Sequence, residues 1–290
     1  MKREGLLLDF DKDLTFGVEL EYINASRNTI MQYLNKVSPI STQKYGRWGY
    51  SPDYAFTESR NNDEFGGEVK SAILRNDDKS LKDLNYVLRK MKKTKASVDY
   101  RTGLHYHVSA DVFKNKKKNL IKFLKLYLAY EHVIYKFGYN GSIPRKAMFD
   151  YAMPIRTRLL QFISQLEEAK DYKQTVNILQ RNFNIQKTMG LNLGYILMPI
   201  NTVEFRMCNG SLDFDVILNE IELFCNLMLS CERELDEELI KHKIAKFREN
   251  SGSLLDYAEV NMEDAKEFSN IIYLHDESKD RFMEQYKKVS

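Results

Sequence analysis

The stretch Leu14-Thr15-Phe16-Gly17-Val18-Glu19-Leu20-Glu21-Tyr22-Ile23 decides how the rest of the chain is read. Its residues alternate. Leu14, Phe16, Val18, Leu20 and Tyr22 fall on one face of an extended strand, and Thr15, Gly17, Glu19 and Glu21 fall on the other. One face is apolar enough to pack. The opposite face carries two carboxylates about 7 Å apart, at roughly 3.3–3.4 Å of rise per residue. In isolation the plainer reading is an antiparallel strand with one solvated face, where glutamate is ordinary. If that face is enclosed instead, the carboxylates need something cationic, and a divalent metal supplies it directly.

Three further stretches repeat the pattern. Gly66 to Leu74 reads as a strand with Glu68 and Lys70 on one face and Val69, Ser71 and Ile73 on the other. Leu104 to Ala110 sets His105, His107 and Ser109 against Leu104, Tyr106, Val108 and Ala110. Gly190 to Met207 reads as two strands around a turn at Met198-Pro199. The second sets Thr202, Glu204 and Arg206 against Val203, Phe205 and Met207. A single histidine is more often structural than a ligand. Two at i and i+2 on one strand point the same way, which is the spacing a shared metal or phosphate site needs.

Helical patterns separate these strands. The periodicity predicts helices over Arg27–Lys36, Ser80–Lys95, Leu120–Phe137, Ile155–Ala169 and Tyr172–Asn182, and a long one from Phe214 to about Glu234. In the second, Leu81, Leu84, Val87, Leu88 and Met91 share a stripe, and the lysine-rich end suits a helix C-terminus. The run Lys114 to Asn119 is read as the solvated start of the next helix rather than a nucleic-acid patch. Ser38 to Phe65 is long, polar and irregular, holds the only tryptophan, Trp48, and is a candidate lid. Within it, Trp48 to Asp53 is consistent with a short strand and turn. The expected class is α+β: a curved, mostly antiparallel sheet with one active-site face, helices on the other, and further helices at the C-terminus. Residues 1–235 are expected to form the catalytic domain and 236–290 a charged helical extension.

Composition narrows the function classes. At 290 residues the chain can bury a full core, and a net charge of +3 gives no argument for nucleic acid. No apolar run is long enough to span a membrane, and Met1 to Asp13 does not read as a secretory signal. Cys208, Cys225 and Cys231 are odd in number and lack a CxxC spacing, so a reduced, cytoplasmic protein without a disulfide framework is expected.

Together the four strands place Glu19, Glu21, Glu68, Lys70, His105, His107, Glu204 and Arg206 on one side of a sheet. Oxygen ligands with one or two imidazoles suit Mg²⁺ or Mn²⁺ better than structural zinc, which favours thiolate and imidazole. Lys70 and Arg206 suit a polyanion such as a nucleoside triphosphate held through metals. Neither a Walker A motif nor GxGxxG is present, so a nucleotide would rest on metals and sheet rather than on a glycine-rich loop.

At FGVELEY, GEVKSAIL, GLHYHVS and TVEFRMCNGSLD, in that order, the chain resembles the amidoligase family, a compact branch of the carboxylate–amine ligases with the glutamine synthetase fold. The resemblance covers about Thr15 to Glu234. GLHYHVS also resembles the Gly-x-His-x-His-x-Ser strand of glutamine synthetase. The resemblance implies an ATP-dependent, ADP-forming ligase that makes an amide or peptide bond through an acyl phosphate, with ATP and Mg²⁺ (or Mn²⁺) as cofactors. It implies Glu19, Glu21, Glu68, His105 and Glu204 as metal ligands, His107 beside the nucleotide phosphates, and Arg206 on the transferring γ-phosphoryl. Arg206, Glu68 and Lys70 are then the candidate catalytic residues, and Asp53 and Arg60 face substrate. The partners would be an amine and the carboxylate of an amino acid, peptide or protein tail. The family's usual Glu-Ile-Val-Ser-Pro is here Glu68-Val-Lys-Ser-Ala72, which gains Lys70 on the site face. On the residues alone, a metal-dependent phosphohydrolase or nuclease, or a non-catalytic binding relative, remains open.

Overall fold

The computed structural model describes residues 8–37, 47–51, 66–140, 151–183, 188–249, 257 and 260–288. Asp53 and Arg60, and most of the candidate lid, lie outside these residues.

The strands form an antiparallel sheet. They are β1 (Thr15–Ile23), β2 (Gly49–Ser51), β3 (Gly66–Lys70), β4 (Leu74–Arg75), β5 (Gly103–Ser109), β6 (Leu191–Asn192) and β7 (Thr202–Asn209). Their order is β2-β3-β1-β5-β7-β6, with β4 beside the start of β1. β1 pairs with β3 through Glu19↔Lys70 and Glu21↔Glu68, and with β5 through Glu19↔His105 and Gly17↔His107. β7 continues the row with His107↔Glu204, and β6 ends it with Asn192↔Glu204. Strand alternation then gives every one of these polar residues the same side.

Two irregularities depart from simple alternation. The expected strand Gly66 to Leu74 is interrupted at Ser71 to Ile73. Ser71 N–H donates to the Val18 carbonyl at 2.8 Å, and its hydroxyl accepts from Val18 N–H at 2.9 Å, standing in for a ladder carbonyl. The predicted apolar face of Val69, Ser71 and Ile73 therefore stops at Val69, and Ile73 is exposed. On β7 a bulge falls between the pairs Leu104↔Cys208 and Tyr106↔Phe205. The extra residue lets Phe205, Met207 and Cys208 all be buried.

The opposite, apolar face is covered by helices. The helices are α1 (Arg27–Val37), α2 (Asp78–Lys93), α3 (Lys117–Gly138), α4 (Arg156–Glu168), α5 (Tyr172–Phe183), α6 (Phe214–Leu229), α7 (Glu237–Glu249), α8 (Met262–Ile272) and α9 (Asp276–Lys287). The stripe predicted on α2 is buried, and Asp77 caps that helix by accepting from Ser80 N–H at 2.7 Å. Phe205 of β7 stacks on Phe224 of α6 at 4.3 Å and meets Phe123 of α3 edge-on at 6.3 Å. The second predicted strand of the Gly190 to Met207 pair is long, but the first is only Leu191–Asn192, followed by turns. Cys208, Cys225 and Cys231 are buried free thiols. No described helix is long and apolar enough to cross a membrane.

The last three helices join the core that α3 covers. Phe282 of α9 stacks on Phe137 at 4.7 Å, and Phe268 of α8 lies 5.1 Å from Tyr130. Asp264 of α8 pairs with His132 at 2.8 Å and with Lys243 of α7 at 2.5 Å. Glu131 accepts from Ile155 N–H at 2.7 Å, Arg156 N–H at 3.2 Å and the Tyr257 hydroxyl at 2.6 Å, so it caps α4 from within the core.

One buried acid lies beneath the sheet. Glu220 of α6 is bonded by the Tyr106 hydroxyl of β5, and burial pushes its carboxyl up to about 8. Its folded pKa exceeds the unfolded one. The stability it contributes is full below the ordinary carboxyl range and is lost as pH rises through about 8. Glu220→Gln keeps the shape and the hydrogen bond but removes the titration. The Tm of the variant relative to wild type is therefore expected to rise by at least about 2 °C between about pH 5 and about pH 9. Scanning calorimetry measures it, and a pH-independent difference would mean that Glu220 is already ionised at neutral pH.

Candidate active site

Eight of the ten side chains singled out in the sequence meet on one face of the sheet: Glu19 and Glu21 from β1, Glu68 and Lys70 from β3, His105 and His107 from β5, Glu204 and Arg206 from β7. Asp53 and Arg60 lie outside the described residues. Glu21, Glu68, His105 and Glu204 are buried, and the other four are partly so. The solvated-face reading of the first strand is thereby replaced by an enclosed one.

Glu19 lies at the centre. Its Oε2 is 3.3 Å from His105 Nδ1, and its Oε1 is 3.4 Å from His107 Nε2 and 3.2 Å from Lys70 Nζ. Burial works against its charge, but the two imidazoles outweigh it and hold the carboxyl well below the usual range. Glu68 sits at the edge, 2.9 Å from Lys70 and 3.6 Å from His105. There burial prevails and its carboxyl is raised. Burial also opposes the charge on Glu204, but Arg206 and the two histidines pull its carboxyl down.

His105 is the most enclosed base of the set. Burial and Arg206 disfavour its charge, yet Glu21, Glu19 and Glu68 together lift it to about 9. Its Nε2 faces Glu21 at 3.5 Å. The other oxygen of Glu21 accepts from Gly103 N–H, so this carboxylate is spent on the backbone of β5 and on orienting His105. His107 is fixed differently. Thr202 Oγ1 lies 3.2 Å from its Nδ1, and the Tyr195 ring stands 5.9 Å from the imidazole. Its Nε2 is buried, makes no hydrogen bond among the described residues, and points between Glu19 and Glu204 at 3.4 and 3.8 Å.

Two groupings have the spacing of a metal shell: Glu19 with His107 and Glu204, and Glu19 with Glu68 and His105, each with ligand atoms within 4.8 Å of one another. Carboxylate oxygens with one imidazole apiece suit a hard divalent ion. The unbonded Nε2 of His107 between two carboxylates is the atom a bound ion would satisfy, so the donor set fits. Glu21 falls outside both groupings.

Sequence alternation did not single out two supporting residues. Asn192 donates to Glu204 Oε2 at 2.8 Å and accepts from Gly194 N–H at 3.0 Å, which locks the carboxylate in place. It lies on a strand two residues long, too short to show a period. Thr202 was visible on the right face, but its bond to His107 depends on the β5–β7 register.

A family model described as "putative amidoligase enzyme" matches residues 12–228. The name denotes an enzyme of the ligase kind. No curated protein matches the chain. The family match takes in every strand of the sheet and all eight side chains gathered on its face. The chain therefore belongs to the amidoligase family.

Proposed function

We propose that the protein is an ATP-dependent carboxylate–amine ligase of glutamine synthetase-like fold, which forms an amide or peptide bond through an acyl phosphate. The observation that carries this reading is the pair of carboxylate–imidazole groupings sharing Glu19, with Arg206 beside them, in a chain of the amidoligase family. A phosphohydrolase could use the same groups, but the family membership weighs toward the ligase.

A carboxylate acylates poorly because oxide is a poor leaving group. In the proposed reaction a carboxylate oxygen attacks the γ-phosphorus of ATP and the bond to the β-phosphate oxygen breaks, releasing ADP. An amine then attacks the acyl carbon, phosphate leaves, and the amine nitrogen loses a proton. Held by Glu19, Glu68, Glu204 and the histidines, divalent ions would neutralise charge on the phosphates. The chain's own contribution is position and field. Arg206 is anchored by Glu204, is kept fully charged by it, and presents a planar fork suited to a phosphoryl group. Asn192 and Thr202 hold Glu204 and His107 so that little reorganisation accompanies reaction. Burial of the floor limits water that would otherwise hydrolyse the acyl phosphate. The acyl phosphate forms on the substrate carboxylate, so the activated species belongs to the substrate and the reaction needs no enzyme nucleophile.

Three tests follow from this arrangement. Glu19→Gln removes the ligand common to both groupings. It is expected to abolish Mn²⁺-dependent nucleotide binding by calorimetry with an unchanged far-UV CD spectrum; wild-type affinity would remove the metal assignment. Arg206→Lys keeps charge but loses the fork, and turnover should fall by at least roughly tenfold. Screening amino acids and short peptides with ATP, Mg²⁺ and hydroxylamine should trap a hydroxamate and release ADP. AMP with pyrophosphate would indicate adenylation, and phosphate release without any hydroxamate would favour a hydrolase.

A further inference from the structure

We propose that Tyr195 roofs this face beside His107 and that its hydroxyl donates a hydrogen bond to the terminal phosphate of the bound nucleotide. The proposal rests on the reading of the face as a metal–nucleotide site and deepens it.

Tyr195 stands on the turn between β6 and β7, and both ends of that turn touch His107. The Tyr195 ring lies 5.9 Å from the imidazole, tilted by 44°, and Thr202 Oγ1 lies 3.2 Å from its Nδ1. The phenol is half-buried, and its hydroxyl makes no hydrogen bond among the described residues. It nevertheless lies in the field of the whole face. Burial raises the pKa of the hydroxyl, Glu204 and Glu19 raise it further, and Arg206 and Lys70 pull it down. Lys70 belongs to β3, four strand spacings from β6, roughly 19 Å across the sheet at about 4.8 Å each. A phenol that starts beyond β6 and still feels β3 reaches over the middle of the face.

The turn is fixed from three directions. Asn192, which holds Glu204, also accepts from Gly194 N–H at 3.0 Å and so sets the chain just before Tyr195. Gln180 of α5 donates to the carbonyls on either side, Gly194 at 3.4 Å and Ile196 at 2.8 Å. Leu197 has φ +62°, a left-handed conformation unusual for a leucine, and its side chain is exposed. Its N–H donates to Asn201 Oδ1 at 2.9 Å, and Asn201 donates in turn to Asp111 Oδ1 at 2.7 Å. Backbone held in this way at the rim of a site is a mark of preorganisation. A hydroxyl on a fixed turn meets an anion without reorganising. The terminal phosphate must meet Arg206 for transfer, and Arg206 is one of the groups that act on the phenol. Tyr195 is thus directed at that phosphate rather than at those nearer the nucleoside.

The test compares two nucleotides on the full chain by calorimetry with Mn²⁺: a non-hydrolysable ATP analogue and ADP. Tyr195→Phe keeps the ring against His107 and removes only the hydroxyl. It is expected to weaken the analogue by at least about tenfold and to leave ADP unchanged, as loss of a hydrogen bond to a charged group requires. Tyr195→Met serves if the phenylalanine variant does not fold. An equal loss on both nucleotides would make the residue a packing partner of His107. That result, or wild-type affinity for the analogue, would overturn the inference and leave the ligase reading standing. No binding of either nucleotide to wild type would overturn both.

Discussion

Carboxylates crowded onto one enclosed sheet face are the constraint to which the rest of the structure answers. Like charges this close repel, and burial multiplies the repulsion by removing water. The structure meets it at Glu19, which is reached by two imidazoles and one ammonium at once. Glu204 is held by Arg206 and Asn192, and Glu21 by a backbone N–H. Glu19, Glu21 and Glu204 each take a partner from a neighbouring strand, β5 or β3 for the first, β5 for the second and β6 for the third, while Arg206 reaches Glu204 along β7 itself. The face therefore exists only when β1, β3, β5 and β7 are in register together.

Register in turn is set from the other side. A slip of one residue would turn every glutamate toward the helices and every phenylalanine toward the site. Phe205 locked between Phe224 and Phe123 opposes such a slip on β7, and the buried row Phe16, Val18, Leu20 and Tyr22 opposes it on β1. The irregularities help. Ser71 ties the end of β3 to Val18 by two hydrogen bonds, and the bulge on β7 admits one alignment with β5. Precision on the polar face is thus a product of packing on the apolar one.

This division explains what could be read from the sequence. The site residues were legible because period-two alternation survives through Glu19, Glu21, His105, His107, Glu204 and Arg206, and because the strands are long enough to show it. Alternation also predicted Ser71 and Ile73 on the apolar face, and there it failed. A side chain that replaces a ladder carbonyl leaves no mark on hydropathy. Asn192 was missed because its strand is too short for any period, and the bulge because local sequence does not report the partner strand. The helices were legible to within a few residues from their stripes, as on α2. How the C-terminal helices pack was not, since the burial of Glu131 and His132 is decided by residues more than a hundred positions away.

That last packing crosses the boundary of the family match. Helix α3 carries an acid and an imidazole in the middle of the core, and Asp264 and Tyr257, which bond them, lie beyond the matched stretch. Without the C-terminal helices, Glu131 would keep the N–H groups of Ile155 and Arg156 but lose the Tyr257 hydroxyl, and His132 would lose Asp264. The core under the sheet is thus finished from outside the region that carries the site, and the last helices are structural partners of the matched stretch rather than a detachable tail.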